Sequence, residues 1–267
     1  MDAMAERAEG ARWNTLDLVT ALWVAWALAG LFWTPHDPNA QTALDRLREG
    51  PSWAHPLGVD ALGRDLASRV WRGSGNTVWF GAAAAAGTLV LASALLVMEQ
   101  RGPRFARGFV SPIVSAGLAM PVLFVGLLLL VFLRPAPWTL VVACALGGVP
   151  FGFRQLRVVW LEQAGALYAT ASRALGAGPW HVVCFTIWPN ARGQVVSVAK
   201  LLFAVSVLEL SGLTFLGLAG DPDFPELGAI LRQNQSELFR EPMLVLWPGV
   251  FLSGLLLLVH LSNVRSR

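Results

Sequence analysis

The sequence predicts an all-α fold: a polytopic membrane protein of about six transmembrane helices, with one short helix on the cytoplasmic side. Three observations carry this. Of the 267 residues, 55% are hydrophobic and 14% charged, more apolar surface than a soluble domain of this size can bury. Six stretches, at about 16–33, 76–98, 108–133, 138–157, 191–217 and 243–261, reach or approach the roughly 20 apolar residues a helix needs to cross the hydrocarbon. The segments between them are short, or rich in Pro, Gly and Asp, so residues 1–267 read as a single transmembrane domain.

Orientation follows from Lys and Arg in the loops. With the N-terminus inside, twelve of the twenty basic residues lie on the inner side: Arg7, Arg12, Arg101, Arg104, Arg107, Arg154, Arg157, Arg173, Arg192, Lys200, Arg265 and Arg267. Ten of the seventeen acids fall outside, between Asp37 and Glu241. Both termini are therefore expected in the cytoplasm. The flank before the first span mixes acids with arginines and no small-residue cleavage site closes the run, so 16–33 reads as a retained span.

The outer loop at 34–75 is organised in its second half. Asp60 suits an N-cap, "ALGRDLASRVWR" puts Leu62, Leu66 and Val70 on one face, and Gly73 suits a stop. This predicts an amphipathic helix of about three turns at the outer interface, with Asp65 and Arg69 as an i, i+4 pair on its wet side. The second span carries "AAAAA" at 82–86, suited to close helix packing through small side chains. A basic turn at 99–107 and a tight "RPAP" turn at 134–137 bracket the third span, read as one unbroken helix. The inner segment at 158–190 and a second ordered outer loop at 218–242 complete the chain.

Within the inner segment, "YATASRALGAGPWHVVCFTIWPN" at 168–190 is built differently from the spans around it. Leu167, Ala171, Ala174 and Leu175 repeat at helical spacing, with Tyr168, Thr170, Ser172 and Arg173 elsewhere around the turn. The resulting helix, about 15 Å long, spans nothing. Gly176 suits the left-handed C′ position that closes it. Gly178 and Pro179 suit the N-cap and first residue of a second short helix, which Trp188 and Pro189 end. From the residues alone this is either a brace that passes force into two spans or an ordinary loop with a local helix.

Chemistry-bearing residues are few. No phosphate-binding loop occurs, and Lys200 is the only lysine, inside an apolar run. The histidines, His36, His55, His181 and His260, are scattered, with no catalytic grouping or metal-ligand spacing. Cys144 and Cys184 suggest no disulfide, and the dispersed basic residues form no nucleic-acid surface. Glu209 is the sharpest residue: an acid inside a span is costly and faces a cavity or a partner. With Ser206 one turn below, it belongs either to a translocation path or to a bond with a neighbouring helix. Nine residues separate it from Lys200, so the two point apart; Lys200 can snorkel to the cytoplasm.

The 168–190 segment resembles the cytoplasmic "EAA" loop of ABC-importer permeases, through Ala171, Arg173, Ala174, Leu175, Gly176, Ala177, Ile187 and Pro189-Asn190. "VPFGFRQLR" at 149–157 is similar to the lead into that loop in the dipeptide/oligopeptide/nickel subfamily. "HPLGVDALGRDLASRVWRG" at 55–73, "LTFLGLAG" at 213–220 and "LWPGVFLSGLLLL" at 246–258 resemble further elements of that subfamily, in order. Thr170 replaces the loop's glutamate, Ser172 its second alanine, and Ala219 a glycine.

The resemblance implies a multi-pass subunit of a bacterial cytoplasmic (inner) membrane importer. Its implied partners, besides the lipid bilayer, are a second homologous permease, two cytoplasmic ATP-binding subunits and an extracytoplasmic solute-binding protein. The chain itself would hold no cofactor and catalyse nothing; ATP and Mg²⁺ would be used by the partner subunits. Leu167, Tyr168, Thr170, Ala171, Arg173, Ala174, Leu175 and Gly176 would couple to the ATPases. Ser206 and Glu209 are the candidates for the translocation path, and Asp60, Arg64, Asp65, Asp221, Asp223 and Glu226 for the binding-protein surface; the alternative is that these outer segments only cap the spans, and "HPLGVDALGRD" at 55–65, mostly turn and cap formers, reads first as structural. Peptides come first among expected solutes, nickel or metal chelates next. The alternatives from other classes are a stand-alone channel or secondary transporter, which would show broken spans or an inverted repeat, and a non-transporting membrane scaffold.

Overall fold

A computed structural model describes residues 15–264 except Pro135, Ala219 and Pro222. The Ala219 departure and the four terminal arginines lie outside the described residues. Every regular element among the described residues is helical. In order they are α1 (Thr15–Ala29), α2 (Leu66–Arg101), α3 (Arg104–Leu118), α4 (Val122–Phe132), α5 (Pro137–Gly165), α6 (Leu167–Ala174), α7 (Trp188–Phe215), α8 (Leu227–Asn234) and α9 (Met243–Val264). A helical turn at Pro179–His181 and a π turn at Val182–Ile187 lead into α7.

All six apolar stretches are helical, but they do not all cross a membrane in the same way. Among the described residues α2, α5, the continuous Pro179–Phe215 run and α9 are each long and apolar enough. The 15 residues of α1 reach about 22 Å at 1.5 Å per residue, short of a bilayer core of about 30 Å. The expected third span is broken, its two halves meeting at 100°. Pro121 causes the break: it offers no N–H, and its ring drives Met120 out of helical geometry. Gly117, just before the bend, lies so close to Pro150 of α5 that a Cβ there would sit 2.5 Å from the ring.

The centre is the α2–α5–α7 packing. One apolar layer joins Phe80, Ala84, Leu140, Ala143, Cys144, Leu210 and Leu213; a second joins Ala85, Ala92, Val110, Val114, Phe153, Leu156, Val198 and Leu202. Ala84 and Ala85 of the alanine run are buried in these layers, as close packing requires. The Thr88 hydroxyl crosses from α2 to donate to the Ala145 carbonyl of α5 at 3.0 Å, which leaves no unpaired polar atom at that contact.

The outer helix differs from expectation. Asp60 caps a turn instead, accepting from the Leu62 and Arg64 backbone N–H groups at 2.8 and 2.9 Å. Asp65 is the true N-cap, its carboxylate accepting from the Ser68 N–H, and α2 then runs 36 residues straight through Gly73. That glycine serves contact, not termination: a Cβ there would lie 2.8 Å from Ile230 Cδ1 of α8. Nor do Asp65 and Arg69 face water; they are 1% and 0% exposed.

Two further boundaries shift. Helix α5 continues to Gly165, so the stretch 158–165 of the segment expected as an inner loop is helical extension. Trp188 and Pro189 do not end a separate piece, since the chain passes through the π turn into α7 without a break. Pro189 has no N–H to return to the preceding turn, and a π turn absorbs the missing bond.

Candidate functional site

Helix α6 is a separate short rod between the Gly165 end of α5 and the Trp188 end of α7. Its close is a C-terminal cap: Gly176 takes φ +83°, its N–H donates to the Arg173 carbonyl at 3.0 Å, and the Ala177 N–H to Ser172 at 3.1 Å. On its inner side Ala169 is buried with Val182, Ile187 and Ala191. A polar chain fixes it further. The Tyr168 hydroxyl donates to Gln163 of α5, Gln163 donates to Gln194 of α7 at 3.0 Å, and Gln194 returns a bond to Glu162 at 3.2 Å. The rod is thus tied to both neighbouring helices.

Its other side is bare. Leu167 and Leu175 are 89% and 88% exposed, and Thr170, Ala171, Arg173 and Ala174 are exposed with them. The apolar stripe read from the sequence therefore points away from the chain, and Thr170, where the loop's glutamate is expected, does no more than return its hydroxyl to the Ala166 carbonyl at 3.3 Å. Ser172 lies 3.3 Å from the Thr186 hydroxyl, so the two departures sit on different sides of the rod. Beside the rod a cavity of about 410 Å³ is lined by Arg101, Trp160, Arg173, Trp180 and Val183, with the Arg101 guanidinium 6.0 Å from the Trp180 ring.

Glu209 lies within the helix core at 5% exposure, and neither carboxylate oxygen has a hydrogen-bond partner among the described residues. A bond from Glu209 to a neighbouring helix, the expected alternative, is absent among the described residues. Two glycines make its space: a Cβ on Gly126 of α4 or on Gly147 of α5 would meet Glu209 Oε1 at 3.0 or 3.1 Å. Ser206 is buried one turn away. Lys200 points elsewhere, its ammonium 3.3 Å from Asp17 of α1 and 3.3 Å from the Ser262 carbonyl of α9.

At the opposite end of the bundle the expected docking residues separate into two groups. Asp60, Arg64, Asp65 and Glu226 are buried and form the scaffold, not its surface. Arg64 spans Asp60 at 2.7 Å, Asp223 at 3.0 Å and Gln233 at 2.8 Å, which locks the 218–242 loop onto the 34–75 loop. Glu226 caps α8 and accepts from Thr77 of α2 at 2.8 Å, Ser211 of α7 at 2.6 Å, and Thr214. Buried charges are tolerable when paired this fully. Asp221 and Asp223 remain exposed.

Residues 90–264 match the family model described as the inner membrane component of binding-protein-dependent transport systems. The chain belongs to this family. Curated relatives of this permease include the glutathione transport system permease protein GsiD of Pectobacterium atrosepticum, 28% identical over 87% of this chain and 79% of that one. The di/tripeptide transport system permease protein DppC of Pseudomonas aeruginosa is 28% identical over 86% of this chain and 77% of its own. A solved chain of the inward-facing MetNI methionine ABC transporter superposes with TM-score 0.63 at 20% identity, covering 74% of this permease and 94% of that chain. An amino acid ABC transporter chain gives 0.58 at 18% identity, over 71% and 90%. These likenesses extend to the fold.

Membership also disposes of the stand-alone reading, although the bent third span is a feature that reading expected. Sequence reasoning about this permease missed the Gln163–Gln194 ties, because a glutamine on a span gives no local sign of its partner. It missed as well that the outer fold gathers His36, His55 and Asp65, three residues with no recognisable spacing.

Proposed function

We propose that the chain is the translocating subunit of an ATP-driven importer in a bacterial cytoplasmic membrane, moving a small solute while partner chains hydrolyse ATP. It works beside a second homologous permease, two cytoplasmic ATP-binding subunits that use ATP and Mg²⁺, and an extracytoplasmic solute-binding protein. Both termini lie in the cytoplasm. Small peptides are the first solute class, since relatives are named for di/tripeptide and glutathione transport; nickel or metal chelates are second.

The observation that carries this reading is α6: a capped rod, tied to α5 and α7, that leaves Leu167, Ala171, Ala174 and Leu175 uncovered. Such an apolar stripe at an inner corner fits a groove on a cytoplasmic partner. When ATP closes the partner subunits, displacement of α6 passes into α5 and α7 because the ties leave little slack. Helix α7 carries Ser206 and Glu209, so the same movement changes the environment of the path and shifts the balance of inward- and outward-open states. With no glutamate at position 170, the contact is mainly apolar. Outside, Asp221 and Asp223 offer exposed negative charge to the binding protein.

Reconstitution tests the proposal. Proteoliposomes containing this chain, the second permease and the ATP-binding subunits are expected to accumulate a labelled di- or tripeptide only with internal ATP and external binding protein. Accumulation by this chain alone would overturn it.

A further inference from the structure

The outer loop holds a cluster that the transport reading does not use. His36 follows the end of α1 by a few residues; its N–H donates to the Ser68 hydroxyl at 3.0 Å, and its carbonyl accepts from Thr34 at 2.8 Å. His55 is fixed by a turn in which the Ser52 N–H donates to the His55 carbonyl at 2.9 Å and the His55 N–H donates to the Ser52 hydroxyl at 3.1 Å. Asp65, the α2 cap, lies between them. Its Oδ1 is 2.9 Å from His55 Nδ1 and its Oδ2 is 3.6 Å from His36 Nδ1, with the two imidazoles 5.1 Å apart. One donor atom from each residue falls within 4.8 Å of the others.

We infer that His36, His55 and Asp65 form a resident binding site for a divalent transition metal of the zinc class on the extracytoplasmic face. Two imidazoles and a carboxylate are the ligand set such an ion takes with three protein ligands, a water completing the tetrahedron. Bond lengths of about 2.0–2.2 Å at tetrahedral angles put donor atoms about 3.3 Å apart. The His36–Asp65 separation of 3.6 Å is already close to that; the His55 Nδ1–Asp65 Oδ1 hydrogen bond of 2.9 Å is exchanged for bonds to the ion, and the three donor atoms, now within 4.8 Å of one another, draw together around it.

A second observation points the same way. His36 Nδ1 is buried without any hydrogen-bond partner, although it faces an anionic carboxylate. A buried polar atom left unmatched is costly and rare in a settled fold; an ion placed between it and Asp65 gives that nitrogen a partner, while Asp65 Oδ2 keeps the Ser68 N–H it accepts at 2.8 Å. The His36 side chain is 40% exposed, which supplies an entry route and room for the water. Because the three ligands come from the end of α1, the middle of the 34–75 loop and the start of α2, the ion ties that loop to the helix bundle. The site is a staple of the outer surface; it is not the cargo site.

The full-length chain, purified with its co-purifying partners through a histidine-free tag and stripped with chelator, is dialysed against Zn²⁺ at about neutral pH. Bound metal is counted by mass spectrometry, affinity is read by competition with a chromophoric chelator, and thermal unfolding is followed with and without Zn²⁺. Wild type is expected to hold one more Zn²⁺ per chain than His36→Ala, and to unfold at higher temperature when zinc is added. His36→Ala is expected to weaken binding by about tenfold or more and to lose the thermal shift, while unfolding like wild type without metal. His181→Ala and His260→Ala, on histidines far from the cluster, are expected to behave like wild type. Equal zinc uptake by wild type and His36→Ala overturns the inference, and so does the absence of a zinc-dependent thermal shift in wild type.

Discussion

Replacing Gly176 with valine tests the proposed coupling corner with little disturbance elsewhere. The residue sits at φ +83°, and a Cβ built there meets no atom within 4 Å, so the substitution creates no clash. The penalty is conformational: a left-handed residue other than glycine costs roughly 1–2 kcal/mol, with a β-branched side chain at the upper end. Against a domain stability of about 5–15 kcal/mol the fold survives, but the penalty falls wholly on the corner and lowers the population of its closed form about 5- to 30-fold. Gly178 provides the control. It lies two residues on, at φ −64° with open space around it, so Gly178→Ala is free of strain. In proteoliposomes Gly176→Val is expected to assemble and hydrolyse ATP at its basal rate while solute-stimulated hydrolysis and uptake per ATP fall. Gly176→Val with uptake equal to wild type, or Gly178→Ala with an equal loss, would refute the argument.

Three other outcomes are expected. Gly228→Ala puts a Cβ 2.1 Å from the Ser211 carbonyl and 2.6 Å from the Thr214 hydroxyl, so α8 must lift off α7 and strain the Glu226 cluster; overpacking of this kind costs about 1–3 kcal/mol or more, read as a lower unfolding temperature. Glu209→Gln preserves shape in a pocket where the carboxylate has no partner, so assembly should be unchanged while peptide uptake drops; unchanged uptake removes Glu209 from the path. The Arg48 guanidinium donates to Glu237 at 2.9 and 3.0 Å and holds that carboxyl below the usual glutamate range. A depressed folded value makes this pair stabilising above the ordinary glutamate pKa of about 4.3 and ineffective below the folded one. Protease protection of the outer loops should therefore differ between wild type and Glu237→Gln at neutral pH, and the difference should shrink on acidification.

Much of the membrane architecture was legible because hydropathy acts locally: long apolar runs had to become helices whatever their neighbours. The inner corner was legible for a similar reason, since Gly176 and Gly178-Pro179 dictate their own backbone. The outer loops were not. Asp65 and Arg69 look like the wet side of a helix and Asp60 like its cap, and only a loop more than a hundred residues later, bringing Asp223 and Gln233 to Arg64 and Arg69, turns this stretch into a buried lattice. Gly73 misled because glycine serves both as a terminator and as a contact residue, and Ile230 decides between them. The broken third span left a local sign in Pro121, outweighed by the apolar run around it.

For Glu209 the sequence showed the cost of an acid in a span but not what surrounded it. The space comes from Gly126 and Gly147 on two other helices. Position 170 is the converse case. The substitution of threonine for glutamate was plain in the sequence, yet its consequence depends on the exposed leucines at both ends of α6, whose orientation only the fold reveals.

The central claim is that the bare side of α6 is where ATP-driven motion enters the chain. A photo-crosslinking amino acid placed at Leu167 or Leu175 in the assembled transporter tests it most directly, with Val131, exposed on α4, as the comparison position. The account predicts an adduct with an ATP-binding subunit from either α6 position, with a yield that changes on adding ATP, and none from position 131. The same adduct yield from all three positions, or no adduct with an ATP-binding subunit from α6, would contradict it.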